Sequence, residues 1–429
     1  MESLFGGVGG GCVGVVVLHV VCAALYRFVP CKETTGYVCD DVHGTPLKYR
    51  LSGLRVYAIV LALFVAGAAL GWYPLTVFAD DFWGAVAAAN VIGLAGSALA
   101  LVIGRSVAPK KRLAHRRRAI TIDQVKHKDS TPVSSSKPAQ QAQEQQAQEQ
   151  HAQEQHAQKQ GQEQEEKNSN ALVQLMSEFY AGLQFNPRVA GIDLKMYAYL
   201  YGAVLLQLVL VSALASHYDA CGGEVHLSIA VYVALFTWFI AEYIFFENVH
   251  LYTYDLFAER FGFKLLWGCF VFYPLFYGIG VWPLVDACDA DLSAVEAAAT
   301  VALFYCGWGL TRGANLQKYY FKVTPTRPFL GIKPQTISDS RILYSGFWGI
   351  ARHINYLGEI MQGVALALPG YLVTGSMLPW LYPLYYLLLL IPRQWEVSLR
   401  VSEGVRARAR VCECARACVC ECERACVSE

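Results

Sequence analysis

Six stretches of this chain run for more than 20 residues without an Asp, Glu, Lys or Arg, and five of them have the length of a single span: Leu4–Tyr26, Val56–Ala79, Phe82–Gly104, Met196–Ser216 and Leu265–Val285. About 20 apolar residues in a helix cross the hydrocarbon core of a bilayer, and inside lipid every backbone polar group must find a partner within the segment itself. His226–Ala241 and Ala297–Leu310 are shorter and borrow polar flanks. Ile360–Pro392 is uncharged over 33 residues, too long for one crossing. Pro369-Gly370 and Gly375 interrupt it, which predicts two helices and a tight turn. The chain therefore reads as an all-α integral membrane protein, a bundle of about 9–10 transmembrane helices. A membrane β-barrel is excluded, because the runs are too long and do not alternate. The first run lacks a preceding basic segment and is followed by Arg27 and Lys32, so it reads as a membrane helix and not a cleaved signal.

Composition agrees. Of 429 residues, 55% are hydrophobic and only 16% charged, against about 25% in soluble domains. A net charge of +1 gives no reason to expect nucleic acid as a partner. Six of the 14 Cys fall after residue 411 and the rest are scattered, which excludes a secreted disulfide scaffold. Lys110, Lys111, Arg112 and Arg116–Arg118 follow the third apolar run and mark the cytosolic side. Binding to anionic membrane lipids is the second reading of that cluster. By parity the loops around Arg27–Arg55, Glu247–Arg260 and Arg312–Arg341 are cytosolic as well.

Four segments follow from this: N-terminal transmembrane helices over 1–108, a basic and then Gln/Glu-rich linker over 109–170, a transmembrane core with a cofactor-binding region over 171–396, and a tail over 397–429. The linker repeats QAQEQ from Gln141 and has too few apolar side chains to offset its ordering entropy. The tail alternates without a break from Val401 to Glu429. Odd positions are Val, Glu or Ala; even positions are Ser, Gly, Arg or Cys. A DNA tract with G at every second base encodes that pattern. Its Cys residues are mostly spaced C-x-C, whereas structural zinc sites favour two to four intervening residues, so no metal ligand is assigned.

Polar chemistry concentrates in LYSGFWGIARHINYLGE over 343–359. It places Trp348, Arg352, His353, Asn355, Tyr356 and Glu359 among glycines. Arg suits phosphate, the aromatic residues suit a flat ring, and Gly allows close backbone approach. Residue types alone fit both a nucleotide site and an interfacial belt that anchors helix ends.

This segment resembles the sterol reductase family, whose pattern is close to L-x-x-S-G-[FW]-W-G-x-x-R-H-x-N-Y-x-G-[DE]. Further pieces fall in family order: Phe5-Gly-Gly, LKYRLSG over 47–53, Phe185-Asn-Pro-Arg188 with Gly191–Lys195, Glu247 with Thr253 and Asp255, and Gly313–Lys318 with Phe321-Lys322. The resemblance covers residues 5 to about 393 apart from the linker, and leans to the C14 reductase branch. It implies NADPH-dependent reduction of the C14–C15 double bond of a sterol intermediate drawn from the bilayer. A proton goes to C15 and a hydride to C14, in the endoplasmic reticulum membrane. Carried over position by position, it implies cofactor contacts at Lys318, Lys322, Leu343, Trp348, Arg352, His353, Asn355 and Tyr356. Glu247, Asp255 and Tyr356 become the candidates for proton transfer or its support. A helix cap or a pair with Arg260 is the plainer reading of the two carboxylates, and Lys195 with Asp193 reads as a surface pair. Alternatives are a sibling reductase acting on a Δ7 or Δ24(28) bond, or a catalytically inactive or scaffold member. Gln184 and Tyr199-Leu-Tyr-Gly202 depart from the family pattern, and after Glu396 the pattern dissolves into the tail. Three or four lost contacts at roughly 1 kcal/mol each predict weak or absent NADPH binding by the chain as written.

Overall fold

In a computed structural model, the chain is an α-helical membrane bundle, described over residues 9–39, 45–119, 171–257, 259–337, 343–392 and 394, with backbone alone at 107–119 and 254. Seven helices are long and apolar enough to cross a membrane: α1 (Gly10–Phe28), α3 (Phe82–Ser106, continuing to Ala119), α4 (Leu194–Ala220), α5 (Leu227–Phe245), α6 (Phe263–Val285), α7 (Ala294–Val323) and α8 (Ile354–Thr374). Two shorter apolar helices, α2 (Gly53–Ala69) and α9 (Leu378–Pro392), bring the total to nine among the described residues. The Phe5-Gly-Gly piece, the repeat linker and the tail lie outside the described residues.

The boundaries show which local signals count. The Val56–Ala79 run holds a 17-residue helix, then a turn in which the Tyr73 hydroxyl donates to the Phe64 carbonyl at 2.9 Å. The short Ala297–Leu310 run grows to 30 residues, because Ser293 and Glu296 form a reciprocal capping box at its start. The final hairpin turns at Gly375, and α8 runs straight through Pro369-Gly370, so only one of the two expected interruptions breaks the chain. A proline interior to a membrane helix is tolerated where neighbouring helices satisfy the freed carbonyl.

Between α1 and α2, β1 (Lys32–Cys39) and β2 (Pro46–Leu51) pair antiparallel, with Lys32 opposite Leu51. A two-residue ribbon, Arg188–Val189 with Ile192–Asp193, leads into α4. Asp193 caps that helix by accepting from the Met196 amide at 3.1 Å, and burial holds its carboxyl above the usual range. Asp193 pairs with Arg188 at 3.4 Å, not with Lys195. Lys195 is fully buried and donates to the carbonyls of Asp255, Leu256 and Glu259, so the expected surface pair is instead an internal staple. It fixes the loop before α6 against the start of α4.

α4 is the most enclosed span, with Tyr201, Leu205, Leu206 and Leu210 fully buried among α1, α2, α5 and α6. α7 and α8 approach so closely that a Cβ on Gly307 would meet the Gly358 carbonyl oxygen at 2.7 Å. Small residues at a crossing let two backbones approach where burial of apolar surface supplies no drive between helices. That crossing carries the following site.

Candidate functional site

A cavity of about 1690 Å³ opens among α5–α8 and the loops over 249–259 and 343–353. It is walled by aromatic and aliphatic side chains below and by cations at its mouth.

The mouth is built on one strut. Gln317 on α7 is buried; its Nε2 donates to the Ser345 carbonyl at 2.8 Å, and its Oε1 accepts from the Phe347 amide at 3.0 Å. Between them Gly346 sits at φ 62°, where a Cβ would strike the Gln317 amide. The Ser345 hydroxyl accepts from the Gln335 amide at 3.1 Å, and Leu343 bridges Thr336, so the loop is tied on both sides. Trp348 follows. Its indole N–H donates to the Ala314 carbonyl at 3.0 Å, and Lys318 Nζ lies 4.8 Å from its ring centre. The indole is thus fixed beside a cation, one turn of α7 from its anchor.

Lys322 stands one turn further on. Its ammonium donates to the Tyr252 carbonyl at 2.8 Å and lies over the rings of Tyr37 and Phe257, at 4.9 and 4.6 Å. It still lines the cavity. His353 stacks on Tyr356 with ring centres 4.9 Å apart and an interplanar angle of 24°. Burial, Arg352 and Lys318 together lower the His353 pKa, keeping the ring neutral. Its Nε2 and the Asn355 Oδ1 are buried polar atoms with no hydrogen-bond partner among the described residues. Buried polar atoms are seldom left so, and a ligand is one explanation.

Lys318, Lys322, Leu343, Trp348, Arg352, His353, Asn355, Tyr356 and Asp255 all line this one cavity. Glu247 does not. Its carboxylate accepts from the Gly53 amide at 3.2 Å, joining the end of α5 to the start of α2, and burial lifts its pKa to about 7. Arg260 lies 5.2 Å from the Phe185 ring centre.

Sequence reasoning passed over the floor of the cavity. There Glu242 of α5 and Arg312 of α7 form an ion pair, and Arg312 also lies 4.5 Å from the Phe246 ring centre. Glu359 of α8 and Tyr243 line the same depth. Three facing helices, α5, α7 and α8, thus each bring one charged side chain to this cavity. A signal was present, since Glu242 and Glu359 are the sole charges of α5 and α8, and ionisable residues inside membrane segments mark function by default. His250 donates from Nε2 to the Tyr243 carbonyl at 3.0 Å, and burial with Arg312 nearby holds it neutral, its pKa lowered to about 3.

The cationic mouth, fixed indole and orphaned polar atoms fit a phosphate-bearing, flat-ringed cofactor. The apolar walls fit a rigid lipid. Comparison with known proteins points the same way. The model of the Ergosterol biosynthesis ERG4/ERG24 family matches residues 153–400. A Delta(14)-sterol reductase of Arabidopsis thaliana is 34% identical over 229 residues, covering 53% of this chain and 60% of the plant protein. One of Methylotuvimicrobium alcaliphilum is 32% identical over 221 residues, 51% of each chain. The avian Delta(14)-sterol reductase LBR of Gallus gallus is 31% identical over 229 residues, 51% of this chain and 35% of its own. The chain spans about half the length of the curated relatives it matches.

Proposed function

The chain belongs to the Ergosterol biosynthesis ERG4/ERG24 family, and from that premise we propose that it is built for NADPH-dependent reduction of the C14–C15 double bond of a sterol intermediate in the endoplasmic reticulum membrane. The observation that carries the proposal is the single cavity in which a cationic, indole-walled mouth leads down to membrane-level carboxyl and phenol groups.

Each part has a task in this reading. Lys318 and Arg352 hold phosphate groups at the mouth, with Lys322 behind them. Trp348, immobilised by Ala314, offers a flat wall. Asn355 Oδ1 accepts and His353 Nε2 donates or accepts toward polar groups of the bound cofactor, which relieves their desolvation. A bound nicotinamide supplies a hydride. The apolar walls hold the sterol edge-on and exclude water, so that a proton delivered to C15 leaves the electron deficiency at tertiary C14. Asp255, Tyr356 and Glu359 line the cavity and are the groups placed to hold or relay that proton. Glu247 is a support for the α2–α5 junction. The Arg312–Glu242 pair keeps the floor polarised without a free charge.

The test is complementation of a cell lacking C14 reductase, with sterol profiling by mass spectrometry. Two chains are needed: this one, and a chimera whose residues after Glu396 are taken from the Arabidopsis relative. The expectation is rescue by the chimera and little or none by the chain as written, since the stretch after residue 396 departs from the family pattern. Clearance of a Δ7 or Δ24(28) intermediate in place of Δ14 would reassign the bond. Failure of a well-expressed chimera to clear any of them would refute the reading.

A further inference from the structure

At the end of the bundle opposite the cavity, a second chemical cluster forms from residues with no part in the site above. Cys221 follows α4 and Cys288 follows α6; they form a disulfide with Cα atoms 5.3 Å apart. His217 lies one turn before Cys221 and is fully buried, and His226 precedes α5. The ligating atoms of His217, Cys221 and His226 all lie within 4.8 Å of one another.

The hydrogen bonds set the tautomers. His217 Nδ1 is 2.8 Å from the Leu284 carbonyl oxygen and 3.0 Å from that of Val285. A carbonyl only accepts, so Nδ1 carries the hydrogen and Nε2 keeps its lone pair. That lone pair receives the His226 amide at 3.3 Å and faces His226 Nδ1 at 3.0 Å. One nitrogen of His217 thus donates to backbone carbonyls while the other faces His226, as in metal-binding histidines; the Cys221 sulfur lies 3.6 Å from Nδ1 and has to turn toward Nε2 to join them. With Zn–N bonds of about 2.0–2.1 Å, two tetrahedral nitrogen ligands stand about 3.3 Å apart, close to the spacing found here. Asp291, nearby, is committed elsewhere: it accepts from the amides of Leu227, Ser228 and Leu292.

We propose that this cluster is a redox-gated site, closed as the Cys221–Cys288 disulfide and, once reduced, a Cys2His2 site for a zinc-class divalent cation held by His217, His226, Cys221 and Cys288. In the oxidised form the sulfurs are bonded to each other and the imidazoles satisfy one another. A dithiol reductant donates two electrons and two protons, leaves as its own disulfide, and yields two thiols. Binding of the cation then displaces those two protons to water, and the thiolates join the two imidazole nitrogens. Either state ties the ends of α4, α5 and α6 together, so the exchange swaps one cross-link for another. Four ligands would complete a closed, structural coordination shell.

The experiment uses the full chain purified in detergent, fully reduced with a phosphine, beside Cys288→Ser and His226→Gln. Zinc per chain is counted after removal of loose metal, and Co(II) is substituted for its visible spectrum. The cysteines after residue 411 are common to all three chains, so the difference reads this site. The reduced parent should hold one more zinc than either variant, and its Co(II) spectrum should lose a tetrahedral two-sulfur, two-nitrogen component in each. Circular dichroism and gel filtration confirm that the variants are folded, and His226→Gln leaves the disulfide itself able to form. Equal zinc in the reduced parent and in both folded variants would overturn the proposal. So would a zinc difference that survives when the Cys221–Cys288 pair is left oxidised.

Discussion

The sharpest test of the cavity mouth lies in Gln317, which no ligand touches in the reading above. Its amide bridges the Ser345 carbonyl and the Phe347 amide, on either side of Gly346. Gln317→Leu keeps the volume and removes both partners. Two buried backbone groups are then left unsatisfied, at about 1–3 kcal/mol each. If water enters to repair one of them, about 1–3 kcal/mol of loop docking is still lost. Each 1.4 kcal/mol is tenfold in an equilibrium constant, so the docked loop should open about 5- to 150-fold more often. Hydrogen–deuterium exchange reads this directly at the Phe347 amide, which should exchange faster by the same factor, and at the Trp348 indole N–H, whose bond to Ala314 depends on the same docking. Gln317→Glu gives a second handle. It preserves the acceptor for Phe347 and sets a carboxylate oxygen against the Ser345 carbonyl, so Phe347 should be less affected than in the Leu variant while Gln335–Ser345 loosens. Parent-like exchange at Phe347 in Gln317→Leu would refute the claim that this side chain holds the loop.

Further outcomes follow from the same geometry. Glu247 is held protonated up to about pH 7 by burial, against an ordinary value of 4.5. The folded state therefore binds its proton more tightly than the unfolded state, and stability falls as pH rises from about 4.5 to about 7, by about 3 kcal/mol at most. Glu247→Gln should flatten that slope in thermal melts and match the parent near pH 4; an unchanged slope would place the carboxyl in water. Arg312→Leu strands Glu242 and should cost about 3–5 kcal/mol, most of it recovered in the Arg312→Leu/Glu242→Leu double variant; additive losses in a denaturation series would show the two are not a pair. Gly358→Ala places a Cβ 2.5 Å from the Gly307 carbonyl oxygen and should force α7 and α8 apart, with lowered melting temperature and weaker ligand binding at the mouth; a parent-like melt would contradict the close crossing.

The spans were legible because bilayer thickness writes itself into run length: the α4 and α6 runs end within a few residues of the observed helices. The final hairpin was harder. Pro369 and Gly375 look alike as interruptions, and only tertiary contact tells which is absorbed into a helix. The mouth was legible through an unusually dense polar motif, whose Trp348, Asn355 and Tyr356 do converge with Lys318 in one cavity although 30 or more residues separate them in sequence. Glu247 was misleading for a physical reason. A carboxylate at a helix end can face a cavity or cap a neighbouring backbone, and here the Gly53 amide takes it. Lys195 likewise gives no sequence sign that three carbonyls await it 60 or more residues away. The floor and the His217 cluster depend on pairings between distant helices, which one sequence does not reveal.

Charge is distributed unevenly along the cavity. The mouth carries Lys318, Lys322 and Arg352, while the floor carries Glu242, Arg312 and Glu359. Under the proposed function, a polyanionic cofactor would gain from the first set and be repelled by the carboxylates of the second, which favours its charged end outward. A neutral sterol is indifferent to the first and needs only the aromatic and aliphatic walls between. Desolvating a charge inside the bilayer is costly unless it is paired, and Arg312 supplies that pairing to Glu242 at the floor. Glu359 is the other carboxyl of the floor, and giving up its proton would leave a second carboxylate beside the Glu242–Arg312 pair. Under the proposed function, position along this gradient would put the nucleotide at the mouth and the lipid at depth.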